Sequence, residues 1–330
     1  MKTRILFLGN PGYGGLLLEE LLRFDDVDVV GVFSRTTRLW SRCRKTYRRY
    51  LTSRKKLAEA VCRLRVKVDS LFDEDRPPLH FGKDVIPIAV QHGLRRFDGS
   101  RVRTRACHQL LRRLEVDVIL VASFSEFLPL QMLHIPRLAA INMHPSLLPT
   151  YRGGFPEFSA VYNGERTTGI TFHLMEEKFD SGNILLQRRV QILEHETTLG
   201  LKRRLAKLAC EALPDLLRLI ARNELTGRPQ ELSSVSYCRL NAHFDRITPG
   251  MTVRQIQNII NACRDVEDIG TPHLLLGAER LQALSYGGTG IPFDAADGRI
   301  WLDLVRYRHK IYADEKLRAL ARRLGAEYGG

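Results

Sequence analysis

The sequence predicts an α/β protein in two parts: a mostly parallel sheet with flanking helices, then a smaller β-rich domain. Three observations carry this. At 330 residues the chain is too long for one small core. An apolar run at residues 4–8 breaks directly into Gly9-Asn10-Pro11-Gly12-Tyr13-Gly14-Gly15, followed by a helical pattern and a second apolar run at 27–33. Strand, glycine turn, helix and strand form a βαβ unit, whose right-handed crossover implies parallel pairing. Beyond a polar stretch at 226–236, short segments separated by glycine replace the longer apolar runs.

Taken in order, strands are expected at 4–8 and 27–33, with a helix at about 16–23 between them. A short strand at 85–89, a helix at 107–114 and a strongly β-branched strand at 116–122 follow. Further strands are expected at 139–143, 169–174 and 184–190, and a long amphipathic helix at 198–223 closes the first domain, residues 1–225. Residues 226–236 read as a linker. The small domain, 237–330, is expected to hold a short helix near 253–263, strands at 274–276, 281–286 and 299–305, and a surface helix at 315–323.

Composition excludes several classes of protein. No apolar run is long enough to span a membrane, and the start, MKTRILFLGNPG, reaches glycine too soon for a secretory signal. The six cysteines include no CxxC pair, which suits reduced thiols better than a disulfide framework or zinc site. A cytoplasmic protein with no resident metal is the expectation. The net charge of +14 is local. Residues 35–67 hold thirteen Lys and Arg against one acid, Glu59, so this stretch is +12 and the rest of the chain only +2. The stretch belongs to a basic insertion at about 35–82. Such a segment can engage phosphates or an acidic partner, and it reads equally well as a solvated helical face.

The chemistry concentrates in INMHPSLLPTYRGG, residues 141–154. Asn142 and His144 are two apart in an extended segment and so share a face, with Met143 pointing back. They stand where a strand of an open α/β sheet ends, the place where such sheets bind ligands. A carboxylate is needed to orient and charge the imidazole, and Asp180 in Phe179-Asp180-Ser181-Gly182 is the candidate. An amide, an imidazole and a carboxylate together suit attack on a carbonyl. Ser146 lies outside any GxSxG elbow and reads as a loop brace. The turn from Gly9 to Gly15 lacks GxGxxG spacing, and no acid ends the second strand, so a dinucleotide site is not indicated.

Asn142-Met143-His144-Pro145-Ser146-Leu147-Leu148-Pro149, then Arg152-Gly153, with Asp180 36 residues after His144, resembles the signature of the 10-formyltetrahydrofolate-dependent formyltransferases. That group includes glycinamide ribonucleotide, methionyl-tRNA and amino-sugar formyltransferases. The likeness extends over residues 1–223 and implies a Rossmann-like catalytic domain. It implies that Asn142 holds the formyl oxygen, that protonated His144 stabilises the oxyanion, and that Asp180 pairs with the imidazole and helps the amine lose its proton. The donor implied is 10-formyltetrahydrofolate, without a metal. Its pterin would be lined by Phe124, Ser125, Glu126, Phe127 and Leu128 and by Glu177, Lys178, Phe179 and Asp180. Gly9, Asn10, Pro11, Gly12, Arg152 and Gly153 would face the acceptor.

After Arg152-Gly153 the chain carries Gly154-Phe155-Pro156-Glu157-Phe158 where the methionyl-tRNA enzymes have small residues, which favours a small-molecule amine. A nucleotide-linked amino sugar or a hydroxyornithine-type amine is the class expected. The basic stretch 35–67 occupies the place of a tRNA-entering loop and keeps methionyl-tRNA as the alternative, with Trp40, Tyr47 and Tyr50 read either as stacking on bases or, the favoured reading, as the apolar face of a packed helix. His243-Phe244-Asp245-Arg246-Ile247 and residues 252–263 resemble the start of the C-terminal domain of the methionyl-tRNA and some sugar enzymes. A formyl-folate hydrolase and a non-catalytic nucleic-acid-binding protein are the remaining readings.

Overall fold

The computed structural model describes residues 2–34, 84–238, 245–264, 272–276, 279–308 and 310–329. The basic stretch 35–67 and the His243-Phe244 pair lie outside the described residues. Two compact units divide the chain, Met1–Arg137 and Leu138–Gly330. The catalytic part has the expected Rossmann-like, mostly parallel fold, followed by an antiparallel β half-barrel.

The first unit is built on β1 (Thr3–Gly9), α1 (Tyr13–Leu21), β2 (Val27–Ser34), α2 (Val85–Gln91), β3 (Arg96–Asp98), α3 (Arg105–Arg113), β4 (Val118–Ala122) and the single helical turn α4 (Leu130–Leu133). Strand order is β3-β2-β1-β4, all parallel. β1 and β4 run as continuous apolar segments because they are covered on both faces, and Ile5, Phe7, Ile119 and Leu120 are fully buried. Glycine is required where α1 leaves β1. A Cβ on Gly14 would lie 3.0 Å from the Gly9 Cα and 3.1 Å from the Ala122 carbonyl oxygen, so the helix start rests on bare strand backbone.

Residues 85–89 are the exception to the expected elements: they form helix, not strand. The apolar run VIPIAV is ambiguous by period, and local chemistry decides it. The Asp84 side chain accepts from the Ile86 N–H as an N-cap, and Val85, Ile88 and Ala89 turn to one buried face at helical spacing.

The second unit opens with β5 (Ala139–His144), α5 (Pro156–Tyr162), β6 (Thr167–Leu174), β7 (Ile184–Gln191) and α6 (Thr198–Ala221). β5, β6 and β7 pair antiparallel in that order. Helix α6 is capped by Thr197, whose hydroxyl accepts from the Gly200 N–H, and buries Leu201, Leu205, Ala209, Leu213, Leu216 and Ile220 along one stripe. Its C-terminal sheet runs β10 (Ile291–Ala295), β11 (Gly298–Tyr307), β9 (Glu279–Gly287), β8 (His273–Leu276), with β12 (Lys310–Ala313) also on β11. Helices α7 (Val253–Cys263) and α8 (Asp314–Arg323) close its core of Ile256, Ile260, Leu281, Leu302, Val305 and Leu317. α7 starts on a capping box between Thr252 and Gln255.

Replacing Gly14 by Ala pits two effects against each other. Helix propensity alone gains ~1 kcal/mol. Overpacking against immovable strand backbone costs ~1–3 kcal/mol. We expect net destabilisation, read as a lower urea midpoint at unchanged slope; a raised midpoint would refute the close-packing account.

Candidate active site

Antiparallel register builds the site. β5 pairs with β6 so that Asn142 stands opposite His173 and His144 opposite Thr171. The strand pair therefore delivers two imidazoles and an amide to one end. The turn after β6 delivers the carboxylate. The Leu174 N–H donates to the Asn183 carbonyl across that turn, and a Cβ on Gly182 would lie 2.0 Å from the Leu174 oxygen, so only glycine closes it. Asp180 sits in this turn at φ 51°, a left-handed conformation that Asp tolerates.

Asp180 is the centre of the cluster. Its Oδ2 accepts the Gly153 N–H at 2.8 Å and lies 3.6 Å from His144 Nδ1. Its Oδ1 lies 3.4 Å from His173 Nε2 and 3.4 Å from Asn142 Nδ2. Burial alone would push this carboxyl up. The opposing His144 charge, the His173 contacts and the Gly153 N–H outweigh it and hold the group well below the usual carboxylate range.

Carbonyl partners settle where the ring protons are, because a carbonyl only accepts. His173 Nδ1 lies 2.7 Å from the Leu174 oxygen and so carries a proton, while its Nε2 lies 3.1 Å from Asn142 Nδ2 and 3.4 Å from Asp180 Oδ1. His144 Nε2 lies 2.8 Å from the Tyr151 oxygen and donates to it. Its Nδ1 then faces a carboxylate, which suits the doubly protonated ring. Two N–H groups stay loosely held: one amide hydrogen of Asn142, and Nδ1–H of His144, at a distance too long for a hydrogen bond. A substrate oxygen beside Asp180 would meet both. Such paired donors stabilise the oxyanion of carbonyl addition, and the adjacent carboxylate can take a proton from the attacking group.

The remaining expected positions fall into two places. In the first unit, Asn10 donates to Ser125 Oγ at 3.3 Å, so the turn bearing Gly9, Pro11 and Gly12 meets the loop of Phe124, Glu126, Phe127 and Leu128. Arg103 lies over the Phe127 ring at 5.7 Å. In the second unit, Glu177, Lys178 and Phe179 are exposed on the Asp180 turn, Phe179 to 65%. Arg152 is buried, with Nε and Nη2 both donating to Gln230 Oε1, and the Gln230 amide donates to the Asp180 and Gly182 carbonyls. Arg152 therefore braces the carboxylate turn through Gln230. Ser146 donates to the Thr150 carbonyl and is a loop brace, as expected.

Sequence reasoning missed His173 and Gln230. A histidine inside the apolar run GITFHL, seven residues before Asp180, was the available signal for the first. Gln230 lies in the stretch read as a linker and offered none. That stretch is strapped to the second unit: Arg228 exchanges backbone hydrogen bonds with Ile184, and Arg152 N–H donates to the Ser236 carbonyl.

Residues 3–217 match the formyl transferase family. The chain belongs to that family. A methionyl-tRNA formyltransferase of Synechococcus sp. is 40% identical over 50% of this chain, a match that spans only 53% of that relative's own length. The methionyl-tRNA formyltransferase of Listeria innocua is 29% identical over 76% of this chain and 70% of its own. The N-formyltransferase of Helicobacter canadensis, solved with folinic acid and dTDP-3-aminofucose, shares the fold with a TM-score of 0.60. It has 15% identity, with 94% of this chain and 100% of that one covered. Among the described residues, no group of three or more His, Cys, Asp or Glu is placed to hold a metal ion, and no helix is long and apolar enough to cross a membrane.

The lowered Asp180 carboxyl sets a pH-dependent share of stability. A group depressed below its unfolded value of ~3.9 stabilises the fold above that pH and loses its contribution as pH falls toward the folded value. Asp180→Asn removes the carboxylate that His144 and His173 share and is expected to cost ~3 kcal/mol at pH 7. The gap between variant and wild type should shrink below about pH 4. Urea unfolding from pH 3 to 7 measures it, and a gap independent of pH would contradict the assignment.

Proposed function

We propose that the protein transfers a formyl group from 10-formyltetrahydrofolate to the amine of a small acceptor, such as a nucleotide-linked amino sugar or a hydroxyornithine-type amine. The observation that carries formyl transfer is the cluster of Asn142, His144 and Asp180, with two loosely held N–H donors beside one buried carboxylate. In this reading Asn142 holds the formyl oxygen and His144 Nδ1–H meets the charge that develops on it. Asp180 keeps the imidazolium paired and takes the proton that the amine releases. A folate donor and a cytoplasmic setting belong to the same reading.

The acceptor class rests on the segment that follows Gly153. Phe155 is held at φ 61° and is 48% exposed, two residues from the N–H that binds Asp180. A bulky residue in a left-handed conformation is a local cost that persists where surrounding contacts or function demand it. An aromatic wall at this point suits a compact acceptor. The second reading, methionyl-tRNA, is favoured by the curated relatives and by the basic stretch 35–67.

Two measurements test these statements. His144→Ala and Asn142→Ala should each lower turnover by ~10² to 10³ with the fold intact, since each removes an oxyanion donor; near-normal turnover in either would reject the cluster as the site. For the acceptor, formyl uptake is compared between methionyl-tRNA and nucleotide-linked amino sugars across 50–200 mM salt. Changing Arg42, Arg44, Lys45, Arg48 and Arg49 to Ser separates the cases. A tRNA enzyme should lose acceptor affinity in this variant and show a steep salt slope, through counterion release. The small-amine enzyme we propose should keep most of its activity at a shallow slope.

A further inference from the structure

We propose that Tyr151 is a positioning residue: its main-chain carbonyl fixes the His144 ring so that Nδ1–H, beside Asp180, is the proton left for substrate. This deepens the formyl-transfer reading of the site and rests on it. The Tyr151 oxygen accepts from His144 Nε2 at 2.8 Å and from Cys238 Sγ at 3.5 Å. Burial pushes the Cys238 thiol up to about 11, so it remains a donor at neutral pH. Both lone pairs of the carbonyl are thereby used, and Nε2 has a fixed acceptor whatever the charge of the ring.

The residue that carries this carbonyl is tied from three sides. Its N–H donates to Ser236 Oγ at 2.9 Å. The next residue is bonded on both sides, Arg152 N–H to the Ser236 carbonyl and Cys238 N–H to the Arg152 carbonyl. The third tie is the side chain. The Tyr151 hydroxyl donates to Glu165 Oε1 at 2.6 Å and accepts from Asn163 Nδ2 at 2.9 Å. Burial, with the Glu165 hydrogen bond next, pushes the phenol up to about 12, so it stays a donor. Glu165 is itself anchored, its N–H donating to the Ala160 carbonyl at the end of α5.

These ties hold Tyr151 at φ 56°, a conformation a bulky residue adopts only when its surroundings over-determine it. A turn alone does not need the hydroxyl pair, since phenylalanine fills the same shape. What the hydroxyl adds is a fixed distance from the α5–β6 connection to the carbonyl, and through the carbonyl a fixed angle for the His144 ring. If the carbonyl drifted, Nε2 would lose its acceptor: the ring angle would no longer be fixed, and a neutral ring could keep its proton on Nδ1 in place of Nε2.

The test needs no acceptor. In protein labelled with ¹⁵N-histidine, long-range ¹H–¹⁵N spectra report the proton on each ring nitrogen, with His144 assigned by its loss in His144→Gln. Wild type and Glu165→Gln, whose amide oxygen still accepts the phenol, should keep Nε2 protonated from pH 6 to 9. Tyr151→Phe and Glu165→Ala should populate the other tautomer as the ring is neutralised, and Glu165→Ala carries the test should Tyr151→Phe not fold. Wild type with a bare Nε2, or both variants with the wild-type tautomer, would overturn the proposal. Where an amine turns over, the two disruptive variants should lose at least ~10-fold in kcat with little change in KM for the folate, and Glu165→Gln should stay near wild type. If no amine turns over, the amine reading fails while the spectra still decide the role of Tyr151.

Discussion

One largely buried carboxylate orders the site. Asp180 meets two imidazoles, an amide and a backbone N–H, from β5, β6 and the loop after Tyr151. Removing a charge from water costs several kcal/mol, and only opposite charge and well-placed donors offset it. Each partner is therefore bound to the position of Asp180. The β5–β6 register sets where the imidazoles stand, the Gly182 turn sets where the carboxylate stands, and Gln230 locks that turn from behind through the Asp180 and Gly182 carbonyls. A shift of one residue in the register would turn Asn142 and His144 to the opposite face and leave the carboxylate with only His173 and the Gly153 N–H.

Two histidines share one carboxylate, and their hydrogen bonds give them different work. His173 is fixed by the Leu174 carbonyl, which makes its Nδ1 a donor, while the Nε2 of that ring lies between the Asn142 amide and Asp180 Oδ1. His144 is bounded by the Tyr151 carbonyl and by Asp180, two acceptors, which suits a charged one. Charge is thus directed to the ring that ends β5, and the other ring orients the amide beside it.

The parts of the fold set by long apolar periods were legible in the sequence. The βαβ start, the buried strand at 118–122, α6 and the small β-rich domain are present within a few residues of expectation. Residues 85–89 were misread because five apolar residues carry no usable period, and an Asp84 cap outweighed β-branching. At the site, Asn142 and His144 were visible because both sit on one strand at i and i+2. Asp180 was visible only through the motif. His173 required the β5–β6 pairing, and Gln230 and Tyr151 required contacts of 50 and 7 residues' separation that no local pattern encodes.

The arrangement separates chemistry from acceptor choice. Groups that hold and move protons stand on β5, β6 and a turn closed by glycine, all pinned by register and by the buried charge. The stretch from Gly153 to Pro156 adds only one N–H to that cluster, through Gly153. Residues beyond it can therefore change in size without disturbing the carboxylate. Phe155 shows the freedom: its ring faces solvent, while Pro156, Glu157 and Phe158 behind it are buried in α5. A chain with this division can keep one mode of carbonyl activation while remodelling the wall an amine meets. On the proposed reading, the acceptor of this protein is therefore to be sought in its loops and not in its strands.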